Sequence, residues 1–208
     1  MELNEPPIRL ITYHRLLLIK NRTLRLLARI ALVIIISSLV LHLPDFTSKT
    51  QDGEQTIQEI HGILEKYSKD MDNITRHKLA KVIYEESVRY NHDPKFILAL
   101  IAIESSFQNR SVSEKGAKGL MQLMPYVAES LAQELGIEWH GDPTLFNPFL
   151  NIRMGVYYLS QLILDFEDLR VALVAYNYGP TYVKGLIERR QRIPAHYYHR
   201  ILTTYQTL

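Results

Sequence analysis

The chain has 208 residues, of which 47% are apolar, 22% charged and 10% aromatic. That balance excludes an intrinsically disordered chain and suits one globular domain with an appendage. The absence of cysteine excludes a disulfide framework, a thiol nucleophile, zinc–thiolate sites and a lipobox-type lipid anchor. The net charge of +2 is unevenly spread. Residues 1–30 hold Arg9, Arg15, Lys20, Arg22, Arg25 and Arg29 against only Glu2 and Glu5, which leaves 18 basic and 20 acidic residues in the remainder. A body of that composition gives no reason to expect nucleic acid as a partner.

The first distinctive segment is Ile30 to Leu43, an apolar run with no polar face, preceded by the basic cluster. At about 1.5 Å per residue its 14 residues span roughly 21 Å, and extension back to Leu26 takes in Arg29, which can snorkel to headgroups. The run starts late for a signal peptide, and no small-residue cleavage site follows Leu43. A retained anchor is therefore preferred over a cleaved signal. The positive-inside rule then places residues 1–29 in the cytoplasm and the chain after Leu43 outside it.

Residues 44–73 read as a linker or stalk, in which Ile57, Ile60, Leu64 and Tyr67 recur at helical spacing. Leu79, Val82, Ile83 and Tyr90 mark a helix around 75–90. Asp93-Pro94 is a helix start, an Asp that can cap followed by a proline tolerated at the first helical position. The segment Phe96 to Ile103 is wholly apolar, so this helix is expected to be buried on all sides. Gly116 and Gly119 punctuate a turn, Pro125 opens a helix with Gly136 as its stop, and Asn147-Pro148 opens another striped by Phe149, Ile152, Val156, Leu159, Ile163 and Phe166. Shorter helices are expected near 169–177, 180–191 and 195–207. No strand-like alternation of useful length occurs, so the fold class is all-α.

Glu104 interrupts this pattern, closing a run of eight apolar residues at the C-terminal end of its helix. Desolvation and the negative end of the helix dipole both disfavour its charge there. A carboxyl group with a raised pKa is what a general acid near neutral pH requires. A glutamate that simply emerges into solvent as its helix ends fits the position equally, so position alone does not decide. Taken singly, Ser113 reads as a loop serine, Gln122 as a surface amide, Met124 as core filler, Asn177 as a turn former, and Tyr176 as one of 13 tyrosines. His196 and His199 lack a third ligand nearby, and no metal site is expected.

Four blocks in order change that balance: Glu104-Ser105-Ser106-Phe107, Ser113 to Pro125 with its Gly116-Ala117-Lys118-Gly119-Leu120-Met121-Gln122-Leu123-Met124-Pro125 core, Asn151 to Leu159, and Ala175-Tyr176-Asn177-Tyr178-Gly179-Pro180. Together they resemble the lytic transglycosylases of the soluble-lytic-transglycosylase type, over roughly residues 74–205. The resemblance implies a lysozyme-like (goose-type) catalytic domain over 74–208. It implies Glu104 as sole catalytic acid/base, Ser113 contacting the muramyl N-acetyl group, Gln122 and Met124 lining the cleft, Tyr176 against the sugar, and Asn177 holding its turn. Gly116 and Gly119 would let the backbone approach the glycan. It implies glycan strands of peptidoglycan as partner, no metal or organic cofactor, and a domain on the cell-wall side of the bacterial inner membrane. Protein partners are not implied.

The chain departs from the family pattern twice. Gln108-Asn109 stands where the family has Asn-Pro. In the last block, Ile-Pro-x-x-Glu-Thr-x-x-Tyr, this chain has Ile193-Pro194-Ala195-His196-Tyr197-Tyr198 with no acid. The expected activity is cleavage of the β-1,4 bond between N-acetylmuramic acid and N-acetylglucosamine with 1,6-anhydromuramic ends. A water-using hydrolase on the same scaffold and a catalytically weak peptidoglycan-binding module are the alternatives.

Overall fold

The computed structural model describes residues 26, 27, 29–35, 37, 38 and 46–208. The chain divides into two units, Met1–Thr50 and Gln51–Leu208. In the first, the described residues between 26 and 38 are helical, and Ile30, Leu32, Val33, Ile34 and Ile35 are exposed. Among the described residues no helix is long and apolar enough to cross a membrane. The expected anchor over 30–43 also takes in residues 36 and 39–43, which lie outside the described set.

From residue 46 onward the chain is helical, with elements α1 (Phe46–Tyr67), α2 (Asn73–Arg89), α3 (Pro94–Ser105), α4 (Pro125–Glu134), α5 (Asp142–Leu145), α6 (Pro148–Phe166), α7 (Leu169–Tyr178), α8 (Pro180–Glu188) and α9 (His196–Thr207). The all-α expectation holds among the described residues, where the only β pairing is a pair of isolated bridges, Val112 with Lys118 and Lys118 with Leu123. The short turn α5 carries no periodicity and was not expected.

Local chemistry explains most boundaries. Asp93 caps α3 by accepting the Lys95 N–H at 2.8 Å, with Pro94 as the first helical residue. Asn147 caps α6 by accepting the N–H groups of Phe149 and Leu150 at 3.1 and 3.3 Å. Asp72 and Asp168 cap α2 and α7 in the same way. Each such cap contributes about 0.5–2 kcal/mol. Gly136 follows α4 with φ +65°, the left-handed stop expected of it.

The core is organised around α3. Ile97, Leu98, Ala99, Leu100 and Ile101 are all essentially inaccessible, so this helix is surrounded as the apolar run implied. Each large side chain of this kind contributes about 1.5–3 kcal/mol by leaving water. Helices α2 and α9 pack on α3, and α6 packs on α2 and α7. The stripe of α1 joins the same core through Ile57, Ile60 and Leu64, and Tyr67 stacks on Phe107 with ring centres 5.5 Å apart. The compact unit thus includes most of the segment that reads as a stalk in the sequence.

Candidate active site in the groove beside Glu104

Helix α3 ends in an unusual turn. Ser106 and Phe107 both have positive φ, 50° and 63°, a conformation costly for residues with a Cβ. Burial of Phe107 against Tyr67, and the Ser68 hydroxyl donating to the Phe107 carbonyl at 3.2 Å, hold that turn in place. The turn ends the helix one residue after Glu104. Asn109 then donates its backbone N–H to Asp70 at 3.1 Å and its side-chain amide to the Phe146 carbonyl at 2.9 Å. A proline at this position, the family's choice, could not make the first bond.

Glu104 is partly accessible, at the wall of a cavity of about 410 Å³ that is also lined by Ser113, Glu114, Lys115, Ala117, Gln122, Met124, Tyr176 and Asn177. Burial raises its pKa from the ordinary 4.5 to about 7. A hydrogen bond from the Tyr197 phenol to Oε1 and the charge of Arg200 oppose that rise without cancelling it. The apolar helix therefore does to this carboxyl what its position in the sequence suggested. A second cavity of about 810 Å³ adjoins the first, and Lys115, Gln122, Met124, Tyr176 and Asn177 line both.

All six residues singled out in the sequence line this groove. Ser113 accepts the Ala117 N–H at 3.0 Å through Oγ, which leaves its own proton to donate outward. Gln122 has φ +48° and commits its amide N–H groups to the carbonyls of Ser111 and Gly119, so its side-chain oxygen is left to accept. Met124 precedes α4 and forms part of the wall between the cavities. Tyr176 donates its phenol to the Met121 carbonyl at 2.9 Å and packs at 5.3 Å on Tyr158. Burial pushes the Tyr176 phenol well above its ordinary pKa, so it stays a neutral donor. Asn177 is exposed in the last turn of α7, next to Gly179 with φ +91°.

The loop from Ser113 to Met124 is buckled to α6 by Asn151. This fully buried amide accepts the Met121 N–H at 2.8 Å and donates to the carbonyls of Lys118 and Leu145 at 3.1 and 3.0 Å. The second and third sequence blocks are thus one structural unit. Gly119 serves that buckle: a Cβ there would lie 2.4 Å from Asn151 Nδ2 and 2.6 Å from the Leu145 carbonyl. Its close approach is to the protein, which corrects the expectation that it makes room for a glycan. Gly116 has open space where a Cβ would lie, and a φ of +87° that favours glycine.

Tyr197 is the site residue that the sequence reading missed. It is buried on α9, in the block where the family's acid is lacking, and that block delivers a phenol to Glu104 instead. The available signal was its place: counted from Ile193-Pro194, Tyr197 stands where the family's last block has its acid. Among the described residues no group of three or more His, Asp or Glu is placed to hold a metal ion.

The chain is 46% identical over 93 residues to an endo-type membrane-bound lytic murein transglycosylase A of Klebsiella pneumoniae, covering 39% of this chain and 45% of that protein. It is 37% identical over 93 residues to a transglycosylase of Enterobacteria phage PRD1, covering 45% of this chain and 32% of that one. The similarity therefore spans less than half the length of either relative. Among solved structures, an inactive variant of the lytic transglycosylase Slt from Pseudomonas aeruginosa matches 60% of this chain and 21% of that chain, with 31% identity and a TM-score of 0.49. The Transglycosylase SLT domain family model matches residues 81–198. With more than half its length inside that match, the chain belongs to the transglycosylase SLT domain family.

Proposed function

We propose that this chain is a peptidoglycan lytic transglycosylase, cleaving the β-1,4 bond between N-acetylmuramic acid and N-acetylglucosamine and leaving 1,6-anhydromuramic ends. The observation that carries the reading is Glu104, a carboxyl with a pKa near 7 that is open to a groove. Near neutral pH it holds a proton for the leaving oxygen for much of the time, and as the carboxylate it accepts one back. In the first half of the reaction, Glu104 protonates the glycosidic oxygen as the C1–O bond breaks. The substrate's 2-acetamido group stabilises the positive charge that develops at C1. In the second half, Glu104 takes the proton of the muramic C6 hydroxyl, whose oxygen bonds to C1 and closes the anhydro ring. No water is consumed and Glu104 ends as it began.

The remaining side chains have supporting roles in this proposal. Ser113 donates to the N-acetyl group, Gln122 accepts from a sugar hydroxyl, and Tyr176 and Met124 shape the wall. Asn177 holds the turn beneath the sugar. Tyr197 orients the Glu104 carboxyl and limits the rise of its pKa. A cofactor has no part in these steps.

One observation favours a second reading. Glu114 lines the same cavity as Glu104, and two carboxylates flanking a bond are what a water-using glycosidase employs. Mass spectrometry of products from purified sacculi separates the readings: anhydro ends support the transglycosylase, reducing ends the hydrolase, and no products the binding module.

The reading places the domain on the cell-wall side of the inner membrane, held by the segment 30–43. Its support is the apolar run behind a basic cluster, and the membrane-bound description of one relative. N-terminal sequencing of the mature protein from the membrane fraction tests this, and a start near residue 45 would overturn it.

A further inference from the structure

The larger cavity beside Glu104 carries aromatic surface that the chemistry above does not use. Tyr126, Tyr178 and Tyr182 all line it. Tyr126 is 71% exposed, and Tyr178 and Tyr182 are 46% and 47% exposed. The last two rings face one another at 5.7 Å with an interplanar angle of 31°. They come from different elements: Tyr126 from the first turn of α4, Tyr178 from the end of α7, and Tyr182 from the start of α8. None occupies a fixed position of the family blocks, since Tyr178 fills the open place in Ala-Tyr-Asn-x-Gly-Pro and the other two lie just past block ends. Large apolar side chains gathered in the open at one cavity mark a binding surface more often than a structural need.

The cavity's polar lining indicates what the rings would hold. Ser130, Gln161 and Thr181 place hydroxyl and amide groups around them, and Lys115, Glu134 and Asp165 line the same cavity, with Glu134 accepting from the Tyr157 phenol and Asp165 paired with Lys184. Ring faces combined with hydroxyl, amide and carboxylate hydrogen-bonding groups suit an amphipathic ligand with flat C–H faces and hydroxyl or acetamido edges. Amino sugars of a glycan strand have that chemistry. Continuity strengthens the case, because five side chains line both cavities, so a strand bound at Glu104 leads directly into the larger one.

We propose that Tyr126, Tyr178 and Tyr182 form an aromatic platform that binds sugars of the strand remote from the bond cleaved, giving the enzyme a preference for long glycans. This rests on the function proposed above and adds the length preference to it. Binding energy of this kind is uniform between ground and transition states, so it lowers KM and leaves kcat nearly unchanged.

The test uses the full chain with murein glycan strands stripped of peptide and fractionated into long and short pools. Turnover of sacculi by the wild type is measured first, and its absence would sink the proposed function alone. Affinity for the stripped strands, measured by calorimetry in the Glu104→Gln background, decides the platform independently. Loss of each ring should weaken binding of long strands by roughly three- to tenfold. Tyr178→Ala with Tyr182→Ala should therefore lose about tenfold or more, while short strands change less than about twofold. Tyr178→Phe with Tyr182→Phe should retain affinity, since the ring faces remain, and Ile74→Ala on α2 serves as an exposed control. Circular dichroism checks folding of each variant. Equal losses for long and short strands, or no loss for either, would overturn the platform. So would a dependence on the tyrosines seen only with peptide-bearing murein, which would assign the surface to the peptide stem.

Discussion

The Tyr197 phenol donates a hydrogen bond to Glu104 Oε1, joining residues 93 positions apart in the sequence. That bond favours the charged carboxylate and holds its pKa down against desolvation. Tyr197→Phe keeps the buried ring and removes the donor, so the Glu104 pKa should rise above about 7. A hydrogen bond to a charged group contributes about 1.5–3 kcal/mol, or roughly one to two pH units. The alkaline limb of the activity profile should move up by that amount, and turnover should fall as the carboxyl loses its orientation. An unmoved limb in a folded variant would remove Tyr197 from the control of Glu104.

Glu104→Gln should abolish most activity, by at least the 10²–10⁴-fold typical of a lost general acid–base group, because one residue serves both halves of the reaction. Its effect on stability should have the opposite sign. The unfolded chain releases this proton near 4.5 and the folded chain near 7, so the advantage of keeping it protonated is complete below 4.5 and lost as pH rises through 7. The variant carries no such penalty and should be more stable than wild type by up to about 3 kcal/mol above pH 7, with the gap closing below pH 5. Thermal melts at pH 5 and pH 8 check this, at about 2–4 °C per kcal/mol. A pH-independent gap would mean the carboxyl is not desolvated.

Glu114→Gln separates one-carboxylate from two-carboxylate chemistry. In the transglycosylase reading this exposed residue changes turnover by less than about threefold, since a surface substitution disturbs little. In a hydrolase it would be the second carboxylate, and its loss would cost about 10²-fold or more. The initial rate of release of soluble muropeptides from sacculi is the measurement.

Ser113→Ala should lower activity by roughly three- to tenfold, the value of one hydrogen bond of about 0.5–1.5 kcal/mol. Tyr176→Ala should cost more, because its ring lines both cavities and its phenol anchors the Met121 carbonyl. If both variants turn over sacculi at the wild-type rate, neither residue contacts the reacting glycan.

Asn151→Ala should destabilise the fold by about 3–5 kcal/mol, since two buried backbone groups and a partly buried one lose their partner and each buried loss costs about 1–3 kcal/mol. Activity per folded molecule should fall too, because the Ser113–Met124 loop is freed from α6. Urea denaturation measures the first effect, and a loss below about 1 kcal/mol would contradict the buckle.

The sequence by itself determined the helices and, through the ordered blocks, singled out Glu104 as the candidate acid. Asp93-Pro94, Asn147-Pro148 and Gly136 mark ends through contacts within a few residues, and the eight apolar residues before Glu104 point to a desolvation that the fold then supplies. The ordered blocks brought Ser113, Gln122, Met124, Tyr176 and Asn177 to notice, and the fold gathers all of them around one groove. Tertiary structure decided the rest. The stripe at Ile57, Ile60 and Leu64 shows a face in the sequence without the surface it meets, and that surface is the core around α3. Gly119 reads as a turn glycine, yet its missing Cβ is required by Asn151, 32 positions further along. The place of Tyr197 in the last block does not name its partner, because Glu104 lies 93 positions away in the sequence. Periodicity and capping act over three or four residues and are written locally. Which faces meet is settled only when all the helices bury their apolar sides at once.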